Sequence, residues 1–335
     1  METSRRGFMT AAGAVAAGLG GPALAQTTKG LRLVSFTRRD DKTLKVRCGA
    51  MRGDDRIVDF ADAAAREKTQ LAFDPGDMIS LAASGEKGLA QARLLAEKGA
   101  PTFALADVTL LSPIPKPARN IYAVGWNYLE HFKEGQAVRK TDQTYPEHPV
   151  FFTKGSHTMN APFGDIPFDE KVSTMIDWEG ELAVVIGKRG RNIAEADAMK
   201  HVFGYAVIND TTARDLQQKK HGGQWFKGKS LDGHGPMGPW IVPADALDPD
   251  KLHLVTRVNG VVKQDAMTTQ MYFKIPRIIA ELSLGLTLEP GDVIATGTPP
   301  GVGVARNPPE FMKPGDVMET EIEGIGVIRN KIAAV

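Results

Sequence analysis

After Pro117 the chain alternates short apolar runs with turn residues, a pattern that predicts a β-rich structure. The runs cover residues 182–186, 203–208, 252–258, 293–296 and 318–322. Gly, Pro and Asp separate them, and the turn sequence Pro-Gly-Asp occurs three times in the chain. Asn259-Gly260 predicts a tight hairpin, because Asn and Gly readily adopt the positive φ angles that such a turn needs.

Helical patterns are fewer than strand patterns. The most regular one covers residues 275–284, with Pro276 in the first turn, where a missing N–H is tolerated. The apolar face of this predicted helix consists of Ile275, Ile278, Ile279 and Leu282. Before Pro117 the pattern is mixed, with helices predicted at 61–66 and 89–98 and strands at 31–36, 44–48 and 56–59.

The proline-rich segment Pro113-Ile114-Pro115-Lys116-Pro117 divides these two regions. Its prolines cannot donate backbone hydrogen bonds, so the segment cannot join a central strand. We therefore predict a β-rich α+β fold with a small N-terminal α+β domain over residues 30–112. A larger, β-rich domain is predicted over residues 119–334.

The first 25 residues have the pattern of an export signal. Arg5, Arg6 and Phe8 precede a run rich in Ala and Gly, which ends in small residues before Gln26. The paired arginines resemble the twin-arginine signal of bacteria. The run is too short and too weakly hydrophobic to predict a membrane anchor. We expect residues 1–25 to be a twin-arginine signal peptide and the protein to be periplasmic.

Composition narrows the function classes. The 335 residues include 41 Lys and Arg against 40 Asp and Glu, so no basic surplus favours nucleic acid as a partner. Hydrophobic residues make up 42% of the chain and charged residues 24%, which argues against disorder. Cys48 is the only cysteine, which excludes an intramolecular disulfide and a cysteine-rich zinc site.

Four carboxylates are candidates for a metal site. Asp177, Glu179 and Glu181 alternate ahead of the apolar run 182–186, so a continuous strand would project all three from one face. Asp210 directly follows the run 203–208. An exposed acidic strand face is the alternative. If the strand is buried, a set of carboxylates selects a hard cation, Mg²⁺ first, with Mn²⁺ and Ca²⁺ as alternatives.

Three further segments carry candidate chemistry. His131 and Glu134 would share one face of a helical turn, where the carboxylate would orient the imidazole as a base. A solvated surface pair is the alternative. Lys229 lies in a glycine-flanked segment that reads equally as an exposed cation. The glycine-rich segment 296–303 lacks the Gly-Lys-Ser/Thr ending of a phosphate loop, so nucleotide binding is rejected.

Taken together and in this order, the segments resemble the fumarylacetoacetate hydrolase family over about residues 119–332. The matching motifs are Asp177-x-Glu179-x-Glu181-Leu182, Asn209-Asp210-x-Thr212-Ala213-Arg214-Asp215-x-Gln217, Lys229-Ser230-Leu231-Asp232 and Thr296-Gly297-Thr298-Pro299-x-Gly301-Val302-Gly303. The resemblance implies a catalytic domain built as a rolled β-sandwich, assembled as a homodimer.

The resemblance also assigns roles to individual residues. It implies that Glu179, Glu181 and Asp210 are the metal ligands and that His131 and Glu134 form a catalytic dyad on a segment that closes over the site. The resemblance implies that Lys229 is the third catalytic residue. The residues implied to bind substrate are Gln217, Thr298, Tyr128 and Arg214. Asp177 is similar to a family position outside the ligand set. Asn127 lies where some members use a fourth carboxylate.

The function implied is divalent-metal-dependent hydrolysis of a carbon–carbon bond in a 2,4-dioxo acid of the fumarylacetoacetate or acylpyruvate type. His131 and Glu134 would activate water, and Lys229 with Gln217 would stabilise the oxyanion. An α-keto acid decarboxylase and a 2-hydroxymuconate-type isomerase or hydratase are alternatives within the family, and the dyad favours hydrolysis or decarboxylation over isomerisation. The alternative of another class is an exported protein that binds a keto acid without converting it.

Overall fold

The computed structural model describes residues 30–139 and 141–335, so the predicted signal peptide lies outside the described residues. The strands are β1 (Leu33–Arg38), β2 (Arg47–Arg52), β3 (Arg56–Asp59), β4 (Phe103–Ala104), β5 (Val108–Leu110), β6 (Ile121–Gly125), β7 (Val150–Lys154), β8 (Met159–Asn160), β9 (Ile166–Phe168), β10 (Ile176–Asp177), β11 (Gly180–Ile186), β12 (Gly190–Arg191), β13 (Val202–Asn209), β14 (Thr212–Ala213), β15 (Gly235–Pro243), β16 (His253–Val258), β17 (Val261–Met267), β18 (Thr287–Leu288), β19 (Val293–Ala295), β20 (Val317–Ile322) and β21 (Gly326–Ala334). The helices are α1 (Phe60–Arg66), α2 (Met78–Ala83), α3 (Gly85–Lys98), α4 (Leu129–Arg139), α5 (Arg214–Gln218), α6 (Phe226–Lys229) and α7 (Ile275–Ser283). The β-rich α+β fold class is confirmed.

Two sheets organise the described part of the chain. The larger has the order β4-β3-β2-β1-β15-β13-β11-β19-β6-β7, with β5 paired to β1 and β8 to β15. The smaller has the order β17-β16-β20-β21-β9. Because β1 pairs with β15, strands from both predicted domains belong to one sheet. The division into two domains stays a prediction.

Strand β11 is buried along its whole length because both faces of the large sheet are covered. Leu182, Val184 and Ile186 pack in the core that includes α7 and the smaller sheet. Ala183 and Val185 point to the opposite face, in the core that includes α1, α2 and α3. This alternation follows from the period of two in a strand. The apolar run that predicted the strand is therefore a central strand between two cores.

Several predicted elements are confirmed within one or two residues. The hairpin β16–β17 turns at Asn259 and Gly260, with φ angles of 53° and 77°. Helix α7 begins at Ile275 with Pro276 in its first turn, and the predicted apolar face is buried. One strand is shifted: β2 begins at Arg47 rather than at residue 44, because Leu44 has a left-handed φ of 51° and lies outside the strand.

The predicted continuous acidic strand is wrong. β10 ends at Asp177 and pairs with β14, whereas β11 begins at Gly180 and pairs with β13. The break arises because the Asp177 carboxylate accepts the backbone N–H of Trp178 and those of Gly303 and Val304. The Asp177 carboxylate is thus engaged by three backbone N–H groups, which end the strand at this residue.

No helix in residues 30–139 and 141–335 has the length and the apolar character needed to cross a membrane.

Candidate active site

Antiparallel pairing of β11 with β13 brings three carboxylates together. Gly180 is paired with Asn209, so Glu179 directly before β11 and Glu181 within it lie beside Asp210, which directly follows β13. One carboxylate oxygen from each lies within 4.8 Å of the other two, and all three side chains are buried. We call these residues the acidic triad.

Burial makes the charge of the acidic triad costly. It raises the pKa of Glu181 well above its ordinary value, and the negative charges of Asp210 and Glu179 raise it further. Burial also raises the pKa of Asp210, although two lysines oppose the shift. For Glu179 burial acts in the same direction, but Lys229 and Arg214 outweigh it and lower the pKa to about 2. The triad therefore favours a further positive charge.

The donor set of the triad fits a divalent metal ion. All three groups supply oxygen, as hard cations such as Mg²⁺, Mn²⁺ and Ca²⁺ prefer. Asp210 Oδ1 is buried and makes no hydrogen bond within the described residues, although Lys154 Nζ lies 3.1 Å away. Lys154 therefore compensates the charge of this buried oxygen only in part, and a metal ion would complete the compensation. The identity of the ion among these three stays a prediction.

Helix α4 supplies the predicted dyad. His131 Nδ1 and Glu134 Oε1 are 2.7 Å apart, as their spacing on one helical face predicts. Glu134 also accepts the backbone N–H of Gly301, with its oxygens 3.0 and 3.2 Å from the nitrogen. His131 and Glu179 line the same cavity. A bond through Nδ1 leaves Nε2 as the ring nitrogen that can accept a proton.

Lys229 lies against the acidic triad. Its Nζ is 2.5 Å from Glu179 Oε2 and 2.6 Å from Asp210 Oδ2, and its side chain is buried. Burial alone would lower the pKa of Lys229, but the two carboxylates raise it above the ordinary value. The structure thus places Lys229 as a protonated partner of the triad. Its predicted contact with an oxyanion stays untested.

Arg214 and Gln217 line the cavity from α5. Arg214 donates to Asp177 Oδ2 at 2.7 Å, lies 2.7 Å from Glu179 Oε1, and donates to Gln217 Oε1 at 3.1 Å. Both residues, which are predicted to bind substrate, therefore bond neighbouring side chains, and Arg214 Nη2 makes no hydrogen bond within the described residues. Arg214 fixes the orientation of Glu179 in the triad.

The other two predicted substrate contacts differ from each other. Thr298 lines the cavity, and its hydroxyl donates to Gly180 O at 3.0 Å. Tyr128 does not line this cavity, and its buried hydroxyl has no hydrogen-bond partner within the described residues. Asn127 bonds the backbone of Phe273 and of Thr296, so it holds two segments together.

Sequence reasoning missed Lys154. This lysine ends β7, is 1% exposed, and donates to Thr211 O at 3.1 Å and to Lys229 O. Its Nζ lies on the Oδ1 side of Asp210, whereas Lys229 lies on the Oδ2 side. The available signal was a lysine two residues after the apolar residues Val150, Phe151 and Phe152, a run for which no strand was predicted.

His131 of the dyad and Glu179 and Glu181 of the triad line one cavity of about 460 Å³. Aromatic side chains on this cavity come from three segments and consist of Trp126, Phe152 and Trp225. Apolar side chains from α4 and from the segment after β19 also line it, including Val138, Val302 and Val304. The cavity is therefore lined by charged side chains and by apolar side chains.

Comparisons with known proteins agree with this geometry. Residues 120–333 match the family model described as fumarylacetoacetate (FAA) hydrolase C-terminal. The chain is 43% identical over 293 residues to oxaloacetate tautomerase YisK of Bacillus subtilis, a match that covers 85% of this chain and 95% of that protein. It is 42% identical over 265 residues to the human mitochondrial oxaloacetate tautomerase FAHD2A, over 78% of this chain and 82% of that protein. A solved structure of maleylpyruvate hydrolase from Sphingobium sp. SYK-6, in complex with manganese(II) and pyruvate, superposes with a TM-score of 0.69 and 30% identity, over 90% of this chain and 99% of that chain.

The predicted periplasmic location is wrong. The human relative, at 42% identity, is a mitochondrial enzyme, and the relatives give no support for export. The interpretation relied on Arg5, Arg6 and the residues that follow them, which lie outside the described part of the chain.

Proposed function

The chain belongs to the fumarylacetoacetate hydrolase family, and from this premise we propose that it is a metal-dependent tautomerase of 2-oxo acids such as oxaloacetate. Family membership makes it an enzyme, which leaves the binding-protein alternative without support. The observation that carries the proposal is one cavity lined by an oriented histidine base and by two members of a carboxylate triad suited to a divalent cation.

Charge balance supports an anionic substrate. Four buried carboxylates lie in this site together with three basic side chains. The carboxylates are Asp177, Glu179, Glu181 and Asp210, and the basic residues are Lys154, Arg214 and Lys229. The four negative and three positive side chains leave the site one positive charge short. A divalent cation would change this balance to an excess of one positive charge. The carboxylate of a 2-oxo acid would neutralise that excess.

Tautomerisation needs few groups. A base must take a proton from C3 of the keto form, and the same proton must return to the oxygen at C2 to give the enol. His131 Nε2 is the candidate for both transfers, and Glu134 stabilises the charged imidazole while the proton resides there. Glu179, Glu181 and Asp210 would hold the metal, which when bound would stabilise the negative charge of the enolate.

Carbon–carbon hydrolysis is the second candidate. It is favoured by the likeness to maleylpyruvate hydrolase, and it is the function that the resemblance of the motifs to the family implies. Hydrolysis also needs a donor for an oxyanion. Of the two candidates, Lys229 is held by Glu179 and Asp210, whereas Gln217 accepts from Arg214 through its oxygen and keeps its amide N–H groups for such a bond. Tautomerisation needs no such donor, so we rank it first.

The test follows the keto and enol forms of oxaloacetate by their ultraviolet absorbance, with the protein in Mg²⁺ or in EDTA. We expect catalysis in Mg²⁺, its loss in EDTA, and a decrease in kcat of about 10²- to 10⁴-fold in His131→Asn. His253→Asn is the matched control, because His253 pairs with Asp265 at the surface. Release of pyruvate from an acylpyruvate without acceleration of tautomerisation would instead support the hydrolase.

A further inference from the structure

Three aromatic side chains form one side of the active-site cavity. Phe152 is on β7, Trp225 precedes α6 and Trp126 follows β6. The centroids of Phe152 and Trp225 are 5.2 Å apart, and those of Trp225 and Trp126 are 5.0 Å apart, both in edge-to-face geometry. Each ring is partly exposed, and each lines the cavity. We call these three residues the aromatic wall.

The aromatic wall connects the two chemical ends of the site. At one end Lys229 Nζ, which bonds the triad, lies 5.1 Å from the centroid of the Phe152 ring. At the other end Trp126 packs against Phe132, whose centroid is 5.7 Å away and which is adjacent to His131. A substrate bound at the triad and facing the base would therefore lie alongside the rings.

The backbone is shaped to hold the wall in place. A Cβ added at Gly125 would lie 2.5 Å from Trp225 Cζ3, so only glycine leaves room for this ring. Trp126 has a φ of 56°, a left-handed conformation that is unfavourable for a bulky residue. Strain of this kind persists where the surrounding structure enforces it, often at ligand sites.

The cavity offers few basic groups that could bind a second substrate carboxylate. Arg214 is held by Asp177 and Glu179, and Lys229 by Glu179 and Asp210. Of the basic groups among the described lining residues, this leaves Lys219, which is exposed to solvent, and Arg214 Nη2, which makes no hydrogen bond within the described residues. Cavities of roughly 300–1,000 Å³ bury drug-sized ligands, so a compact diacid would leave much of this cavity of about 460 Å³ to water.

We propose that the site binds aryl-substituted 2-oxo acids, the arylpyruvates, in preference to oxaloacetate. Their oxo-acid end would lie at the triad and their ring against the aromatic wall, since aromatic rings prefer edge-to-face or offset contacts with one another. The inference rests on the proposed tautomerase function. In the reaction the enol O–H loses its proton and C3 gains one, so the carbon–carbon double bond becomes single, the C2–O bond becomes a carbonyl, and no co-reactant is needed.

The test compares three substrates with the magnesium-loaded full chain: phenylpyruvate, oxaloacetate and the aliphatic 4-methyl-2-oxopentanoate. We expect kcat/KM for tautomerisation to be at least tenfold higher for phenylpyruvate than for either of the others. Trp225→Ala is expected to lower the ratio of phenylpyruvate to oxaloacetate kcat/KM about tenfold, and Trp225→Phe to restore most of it. Gly125→Ala should lower the same ratio by displacing the ring. Trp240→Phe is the control, because Trp240 is buried in β15, bonds Ile325 O and does not line the cavity.

Calorimetric titration of phenylpyruvate and of pyruvate into the same proteins separates this inference from the proposed function. We expect phenylpyruvate to bind at least tenfold more tightly than pyruvate, and we expect this preference to be smaller in Trp225→Ala. Such a result would support an arylpyruvate site even if no tautomerisation were seen. That combination would overturn only the proposed function. Tautomerisation of oxaloacetate with no preference for phenylpyruvate, or a preference that Trp225→Ala and Gly125→Ala leave intact, would overturn the inference.

Discussion

Two buried lysines flank Asp210, one on each carboxylate oxygen. Lys229 Nζ is 2.6 Å from Oδ2, and Lys154 Nζ is 3.1 Å from Oδ1. The two differ in their surroundings: the carboxylates raise the pKa of Lys229, whereas burial lowers that of Lys154 despite Asp210. Lys154 also bonds two backbone carbonyls, so it serves the fold as well as the charge of the site.

Removing the Lys154 ammonium should therefore destabilise the protein. Lys154→Met leaves the carbonyls of Thr211 and Lys229 without this donor and Asp210 without one of its two cations. Loss of one partner of a buried pair costs about 3–5 kcal/mol, so we expect urea denaturation to show a decrease of about 3 kcal/mol in the free energy of unfolding. Lys251→Met is the control, because Lys251 pairs with Asp248 at the surface, where such a pair contributes at most about 1 kcal/mol. Equal effects of the two changes would contradict the role given to Lys154.

His234 predicts a pH dependence of stability. Burial lowers the pKa of this histidine from 6.5 to about 4. Above pH 6.5 the side chain is neutral in both states. As the pH falls towards 4, the unfolded chain takes up the proton first, so the folded state loses up to about 3 kcal/mol. We expect His234→Gln to remove this loss of stability between pH 6.5 and 4, as measured by urea denaturation. His148→Gln, which changes an exposed histidine, is the control and should retain the loss. A slope that His234→Gln does not change would show that His234 is not its source.

At the scale of elements, one loop joins the dyad to the acidic triad. Glu134 of α4 accepts the N–H of Gly301, and Asp177 of β10 accepts the N–H groups of Gly303 and Val304. Asp177 also accepts from Arg214, which contacts Glu179. The loop is thus held at one end by the helix that carries the base and at the other by the strand next to the triad.

Asp177→Asn should loosen this connection. An amide oxygen can still accept a hydrogen bond, but the buried Arg214 loses a charged partner, and the N–H groups of Gly303 and Val304 lose charge-assisted bonds. We expect faster amide hydrogen exchange at Gly303 and Val304 and a decrease of about tenfold or more in kcat. Asp59→Asn is the matched control, because Asp59 is equally buried and pairs with Arg47. Loop exchange that rises equally in Asp59→Asn would indicate general destabilisation instead.

Local patterns predicted the elements but not the contacts between them. The apolar runs at 182–186 and 203–208 identified β11 and β13, because strands covered on both faces are apolar throughout. The break after Asp177 was not predicted, since its cause is a loop 126 residues further along the chain. Lys154 was missed for the same reason, because its partners Thr211 and Lys229 lie 57 and 75 residues away. The order of the motifs along the chain predicted that the triad and the dyad belong to one site. Tyr128 was predicted to be a substrate contact, but it lies outside the cavity.

For the molecule as a whole, the site lies at the centre of the large sheet. Central strands β11 and β13 contribute the triad, and both faces of these strands pack in large cores. A rigid scaffold of this kind keeps the three carboxylates close together although they repel one another. The repulsion should make the stability of the whole chain depend on the metal.

Removing one negative charge from the triad separates that repulsion from the stabilisation by a metal. In EDTA, Glu181→Gln is expected to unfold at or above the temperature of the unmodified chain, because burial and two neighbouring carboxylates already disfavour the charged form of Glu181. In Mg²⁺ at about 100 times its Kd, the unmodified chain should gain about 2.7 kcal/mol. The variant should gain much less, since it has lost one of three charged oxygen ligands. Scanning calorimetry in EDTA and in Mg²⁺ checks both expectations, with Glu321→Gln, which pairs with Arg257 in the smaller sheet, as the control. Equal stabilisation of Glu181→Gln and the unmodified chain by Mg²⁺ would mean that the ion binds outside the acidic triad.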